Sequence, residues 1–181
     1  MVEAALVIPV LVMLTMMVIE GGLLFWNISY AQTSSASGAR TGVTQAREIN
    51  YQLTIRDAVT ASLRNVTATP LTLIVYKADP ATGRPTGMSP AGNDFSLCAT
   101  DCYVFDWNPG TRTFVQQSGR AWLPTDQEAC GPLTSTDYLG VQVRLLYDGP
   151  TKMIMKARPI SADTMMRLEP VPVTAGQDCK P

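Results

Sequence analysis

The chain contains no histidine. That removes the commonest general base, the Ser-His and Cys-His nucleophile pairs and most zinc sites. It also has no Lys or Arg before Arg40, and its 14 basic and 15 acidic residues are scattered, with a net charge of -1 and no basic run or acidic tail. A nucleic-acid partner needs clustered cations to displace counterions from phosphates, so none is expected. Cysteine is scarce and confined to Cys98, Cys102, Cys130 and Cys179. A C-x3-C pair followed by two widely spaced single cysteines lacks the paired knuckles of a zinc site. An even count, well away from the N-terminus, suits disulfides in an oxidising compartment. Of the three pairings that four cysteines allow, we expect Cys98–Cys102, closing a small turn, and Cys130–Cys179, pinning the C-terminal tail. Asp94, Asp101 and Asp106 lack the oxygen spacing of a calcium loop and read as turn carboxylates. No constellation supports catalysis, and no metal or other cofactor is expected.

The 181 residues are 46% hydrophobic, but unevenly so. Ala4 to Ile19 is apolar apart from Pro9 and Thr15; Glu20, Gly21 and Gly22 follow, then Leu23 to Trp26. Ala4 to Trp26 rises roughly 34 Å as a helix, enough for a hydrocarbon core of about 30 Å. Trp26 and Tyr30 then fall where amphipathic rings settle, at the membrane–water boundary. A cleavable signal peptide would have a basic start and a small-residue cleavage site, and a buried core helix is rarely apolar on every face in so small a protein. The segment therefore reads as a membrane anchor. Orientation is contested within the sequence. Arg40 and Arg47 on the C-terminal flank weakly favour a cytoplasmic domain, whereas the cysteines favour an exported one. Residues preceding Met1 would reconcile the two.

From Asn27 to Val66 there is no Pro, and apolar residues recur at helical spacing through Ile28, Ala31, Ala39, Val43, Ala46, Ile49, Leu53, Val59, Leu63 and Val66. Thr33 to Gly38 is small and polar, a thin helix face onto which something can pack closely. After Thr69-Pro70 the chain turns to strands. Leu71–Tyr76 is β-rich, and Asp79–Asn93 is a turn-rich loop. Cys102–Trp107, Asn108-Pro109-Gly110 and Thr111–Val115 read as a hairpin whose Phe105, Trp107 and Phe114 pack into the core rather than forming a sticky surface. Leu139–Tyr147 alternates, with Val141, Val143 and Leu145 on one face and Gln142 and Arg144 on the other. Lys152–Ala157 is expected to return antiparallel, and Arg167 and Glu169 are a candidate ion pair.

Val2-Glu3-Ala4-Ala5-Leu6-Val7-Ile8-Pro9 resembles the opening of TadE-like pilins, the minor pilins or pseudopilins of tight-adherence (Tad, or Flp) pili. Ile19-Glu20-Gly21-Gly22, Ala36-Ser37-Gly38-Ala39-Arg40 and Thr164-Met165-Met166-Arg167-Leu168-Glu169-Pro170 are similar to further short motifs of that family. The resemblance implies insertion with the N-terminus in the cytoplasm, and cleavage by a prepilin peptidase after a small residue that leaves a glutamate near the fifth mature position. Glu3 is the matching residue, so a short basic leader ending in Gly is expected before Met1. A carboxylate at the edge of an apolar helix costs a few kcal/mol unless paired or at the interface. The resemblance supplies a partner for Glu3, the free amine of a neighbouring subunit; the plain alternative is a wet residue just outside the bilayer. Glu20 lies about 26 Å further along and reads as an interfacial residue. Pro9, Gly21 and Gly22 are candidate softening or close-packing points.

The expected architecture is α+β and pilin-like: a long N-terminal helix, transmembrane in its first half, then a small antiparallel β-sheet domain. Residues 1–26 would be the transmembrane assembly helix, 27–66 its extension packed on the domain, and 67–181 an exported β-rich domain with disulfides. The implied role is that of a minor pilin or pseudopilin in Tad-type pilus assembly and surface adhesion, not an enzyme. Its implied partners are other pilin subunits, the membrane assembly platform and the prepilin peptidase, with a surface or host ligand left open. It would reside in the inner membrane as a single-pass protein with its C-terminal domain extracytoplasmic, or in an extracellular pilus. The alternative is a stand-alone membrane-tethered binding protein that never enters a filament.

Overall fold

The computed structural model describes residues 2–88, 94–117, 121–129, 136–150, 152 and 156–170. Two helices, α1 (Val2–Val43) and α2 (Tyr51–Ser62), precede five strands: β1 (Thr69–Ala78), β2 (Cys102–Asn108), β3 (Thr113–Gln116), β4 (Tyr138–Tyr147) and β5 (Arg158–Arg167). The strands form one sheet in the order β3-β2-β1-β4-β5, and every neighbouring pair is antiparallel. The layout is α+β, as expected.

Helical spacing over 27–66 predicts one continuous helix, but there are two. After Val43 the chain turns through residues 44–50, with Arg47 and Asn50 in the left-handed region (φ 67° at both). The Arg47 amide donates to the Gln127 side chain at 2.6 Å. From there α2 runs back along α1, burying Tyr51, Ile55 and Val59. The periodicity survives the break because both helices turn their apolar faces to the same core.

The sheet's two faces follow from the period-two alternation of its strands. Leu73 and Val75 of β1, and Leu139, Val141, Val143 and Leu145 of β4, face the helices; Phe105, Phe114 and Trp122 join that core. The aromatic hairpin thus packs inward, with Trp107 and Phe114 edge to face at 5.1 Å. On the other face, Ile74, Tyr76, Cys102 and Val104 make a second core with Phe95 and Cys98 from the β1–β2 connection. Cys98 and Cys102 pair as a disulfide, with their Cα atoms 6.4 Å apart. Cys130 and Cys179 lie outside the described residues. Polar Gln142 and Arg144 do alternate out of the first core, but both are used: Gln142 accepts from the Phe95 amide at 3.2 Å, and Arg144 pairs with Asp94 at 2.5 Å.

The returning strand begins at Arg158, opposite Tyr147, and not at Lys152. Lys152 sits in a turn instead (φ 56°); its amide donates to the Gly149 carbonyl at 3.1 Å and its ammonium pairs with Asp148 at 3.0 Å. Arg167 stands over the Tyr138 ring at 5.1 Å, and an Arg167–Glu169 pair is not among the ion pairs of the described residues.

Candidate functional site

The first half of α1 projects from the domain. From Val7 to Ile19 its large apolar side chains are 40–75% exposed, on every side of the helix. Water is a poor environment for this surface, since full burial of each such side chain stabilises by about 1.5–3 kcal/mol. Eleven half-exposed residues therefore leave on the order of 10 kcal/mol unrealised until lipid or another helix covers them. The helix is long and apolar enough to cross a membrane, with a mean hydropathy of 2.2 over its most apolar window. Pro9 lies inside it, where it lacks the N–H that would bond the Ala5 carbonyl. Glu3 lies in the first turn.

The second half of α1 meets the domain along a seam of small or polar residues. Glu20, Asn27, Ala31, Ser34, Ser35 and Ala39 are all buried, and their spacings of mostly three, four or seven residues place them on one stripe. The seam therefore opens at Glu20, inside the segment assigned above to the membrane helix. Glu20 is 0% exposed, and the Tyr147 hydroxyl at the end of β4 donates to its carbonyl at 3.1 Å. Burial, and then the charge of Glu20, raise the Tyr147 phenol above its ordinary pKa.

Two turns further on, Asn27 acts as a latch. Its amide nitrogen donates to the Leu23 carbonyl at 2.7 Å and to the Thr67 hydroxyl at 2.9 Å. Its oxygen accepts from the Ala68 amide at 2.9 Å and from the Thr67 hydroxyl at 3.1 Å. Higher up, the hydroxyls of Ser35 and Thr164 share a hydrogen bond of 2.8 Å, and the Glu169 amide donates to the Val43 carbonyl at 3.3 Å. A Cβ at Gly38 would sit 2.6 Å from Val59 Cγ2, and one at Gly42 would overlap Leu139. The small residues are what let α1 lie close to the sheet.

Gly21 and Gly22 are different: a Cβ at either would meet nothing within 4 Å. They form a notch on the outer side of the helix, near Phe25 (71% exposed) and Trp26 (54%). The sequence-predicted residues thus fall into separate groups. Glu3 and Pro9 lie on the free half of α1, Glu20 is buried at the junction, and Gly21 and Gly22 are beside it with open space around them. Sequence reading missed Asn27 and Tyr147 as junction residues. The seven-residue intervals Glu20–Asn27–Ser34 were the available signal.

Residues 1–40 match the family model described as TadE-like protein. The match runs from the free half of α1 through the buried stripe to Arg40 and includes none of the sheet. No curated protein and no solved structure matches the chain. Among the described residues, no cluster of side chains suited to a metal ion is present.

Proposed function

We propose that this chain is a minor pilin or pseudopilin of a Tad-type pilus system. The free half of α1 anchors it in the membrane and then serves as its handle for helix-to-helix assembly. The sheet domain is carried on the extracytoplasmic side, where it is available for adhesion. The observation that carries this reading is the all-round apolar exposure of Val7–Ile19, within the segment that matches the TadE-like model. Such a surface needs a cover, and lipid and neighbouring subunits are both apolar covers. In this reading a prepilin peptidase processes the N-terminus, and Glu3 meets the free amine of the next subunit. Pro9 leaves an unpaired carbonyl, and Gly21 and Gly22 offer a place for close approach. Glu3→Ala should leave membrane insertion intact, as judged by alkaline extraction, while reducing piliation. Unchanged piliation would instead favour a stand-alone membrane-tethered binding protein.

A further inference from the structure

The topology places three connections at the end of the domain from which the free half of α1 emerges. These are α2–β1, the β2–β3 hairpin and β4–β5: Glu20 meets Tyr147, Asn27 meets Thr67 and Ala68, and Tyr147 is opposite Arg158. The β2–β3 turn follows Asn108, which pairs with Thr113, beside the start of β1.

Five cations lie on these connections or their edges: Arg64, Arg112, Lys152, Lys156 and Arg158, all on exposed residues. Lys152 pairs with Asp148; the other four are in no ion pair among the described residues. Arg64 and Arg112 come together on a groove of about 740 Å³ whose apolar walls include Leu63, Val66, Pro70 and Trp107. The sequence shows no basic run because these residues come from separate segments.

Resting on the membrane-anchor reading above, we propose that this basic rim seats the domain on a bilayer surface. Its Arg64–Arg112 groove takes the phosphate-bearing headgroups of anionic phospholipids. Two observations favour lipid over any other occupant. The rim lies at the end of the domain from which the apolar helix leaves, so a helix that spans the bilayer brings the rim to its surface. The depth also fits. Ala4 to Ile19 rises only about 23 Å, short of a core of about 30 Å, so the outer face from Gly21 to Trp26 must enter the boundary region. Phe25 and Trp26 are exposed there, and the domain is drawn against the headgroups. The cations lie far beyond the flank that is read at insertion, and folding alone assembles them.

The test uses the full chain in nanodiscs of phosphatidylcholine alone, or with about 30% phosphatidylglycerol, followed by amide hydrogen exchange over residues 62–70 and 106–113. Anionic lipid should slow exchange in both segments, and salt should reverse the gain. Arg64→Gln with Arg112→Gln should weaken docking about thirtyfold, equivalent to about 2 kcal/mol at ~1 per basic residue near an anionic surface. Arg40→Gln, on the exposed side of α1 towards its far end, should leave the gain intact. Equal protection in both lipids would overturn the proposal, as would protection that follows the number of chains per disc, which would identify a second copy as the occupant. Release of the chain by alkaline extraction would overturn the anchor reading and this proposal with it; a retained chain without lipid-dependent protection overturns this proposal alone.

Discussion

Replacing Asn27 with Ala should loosen the junction between the free helix and the domain. The substitution removes the acceptor of the Ala68 amide at 2.9 Å and both contacts with Thr67, at 2.9 and 3.1 Å. Ala68 is buried, at 5% exposure, so its N–H is left dry and without that partner, at a cost of about 1–3 kcal/mol. Each lost side-chain bond adds about 0.5–1.5 kcal/mol, less the rotamer entropy regained by Thr67. The sum is about 3 kcal/mol, or roughly 6–12 °C in Tm for a chain of this size. Thermal melts of the full chain in detergent, followed by near-UV circular dichroism, would measure it. Ser29→Ala is the matched control, because among the described residues that hydroxyl bonds the Phe25 carbonyl of its own helix at an exposed site; it should change stability by less than about 0.5 kcal/mol. A double-mutant cycle with Thr67→Ala should show coupling of at least about 0.5 kcal/mol. If Asn27→Ala melts with the Ser29→Ala control, the latch has no energetic role and the reasoning fails.

Gly38→Ala should destabilise by about 1–2 kcal/mol, because the clash with Val59 at 2.6 Å outweighs about 1 kcal/mol of helix propensity. Gly22→Ala, with open space around it, should leave subunit stability equal or higher in the same melts; a loss of piliation there would mark the notch as an assembly contact. Burial raises the phenols of Tyr51, Tyr76 and Tyr103 as well as Tyr147. A raised folded-state pKa holds the proton more tightly than the unfolded chain does, so this stability is complete below about pH 10 and lost as pH rises through the folded values. Tyrosinate absorbance should therefore rise together with loss of near-UV dichroism, and titration at about pH 10 without unfolding would contradict the burial. Cys98→Ser with Cys102→Ser should cost about 2 kcal/mol from the short closed loop, read as a lower urea midpoint.

Element type and facing were legible wherever a local pattern encodes them. The run from Ala4 to Ile19 marks the free helix because uninterrupted apolar residues leave no polar face to turn towards water. Alternation in Leu139–Tyr147 marks a strand and separates Val141 and Val143 from Gln142 and Arg144, because successive side chains must point to opposite faces. Cys98 and Cys102 are close enough in sequence for a small turn to join them. The same reading carried the helix straight through residues 44–50, since helical spacing does not record a reversal when both helices pack on one core. It started the last strand too early, because the turn at Lys152 depends on contacts with Asp148 and Gly149.

By itself, then, the sequence determined the long apolar helix, the α+β order and the inward faces of its strands. These rest on periodicity and on the transfer of side chains from water, which neighbouring residues settle among themselves. The tertiary structure alone decided that Glu20 and Asn27 are buried junction residues. It alone gathered Arg64, Arg112, Lys152, Lys156 and Arg158 at the end where the helix leaves. Antiparallel packing chooses which connections share an end, and residues far apart in the chain acquire a common surface only when that choice has been made.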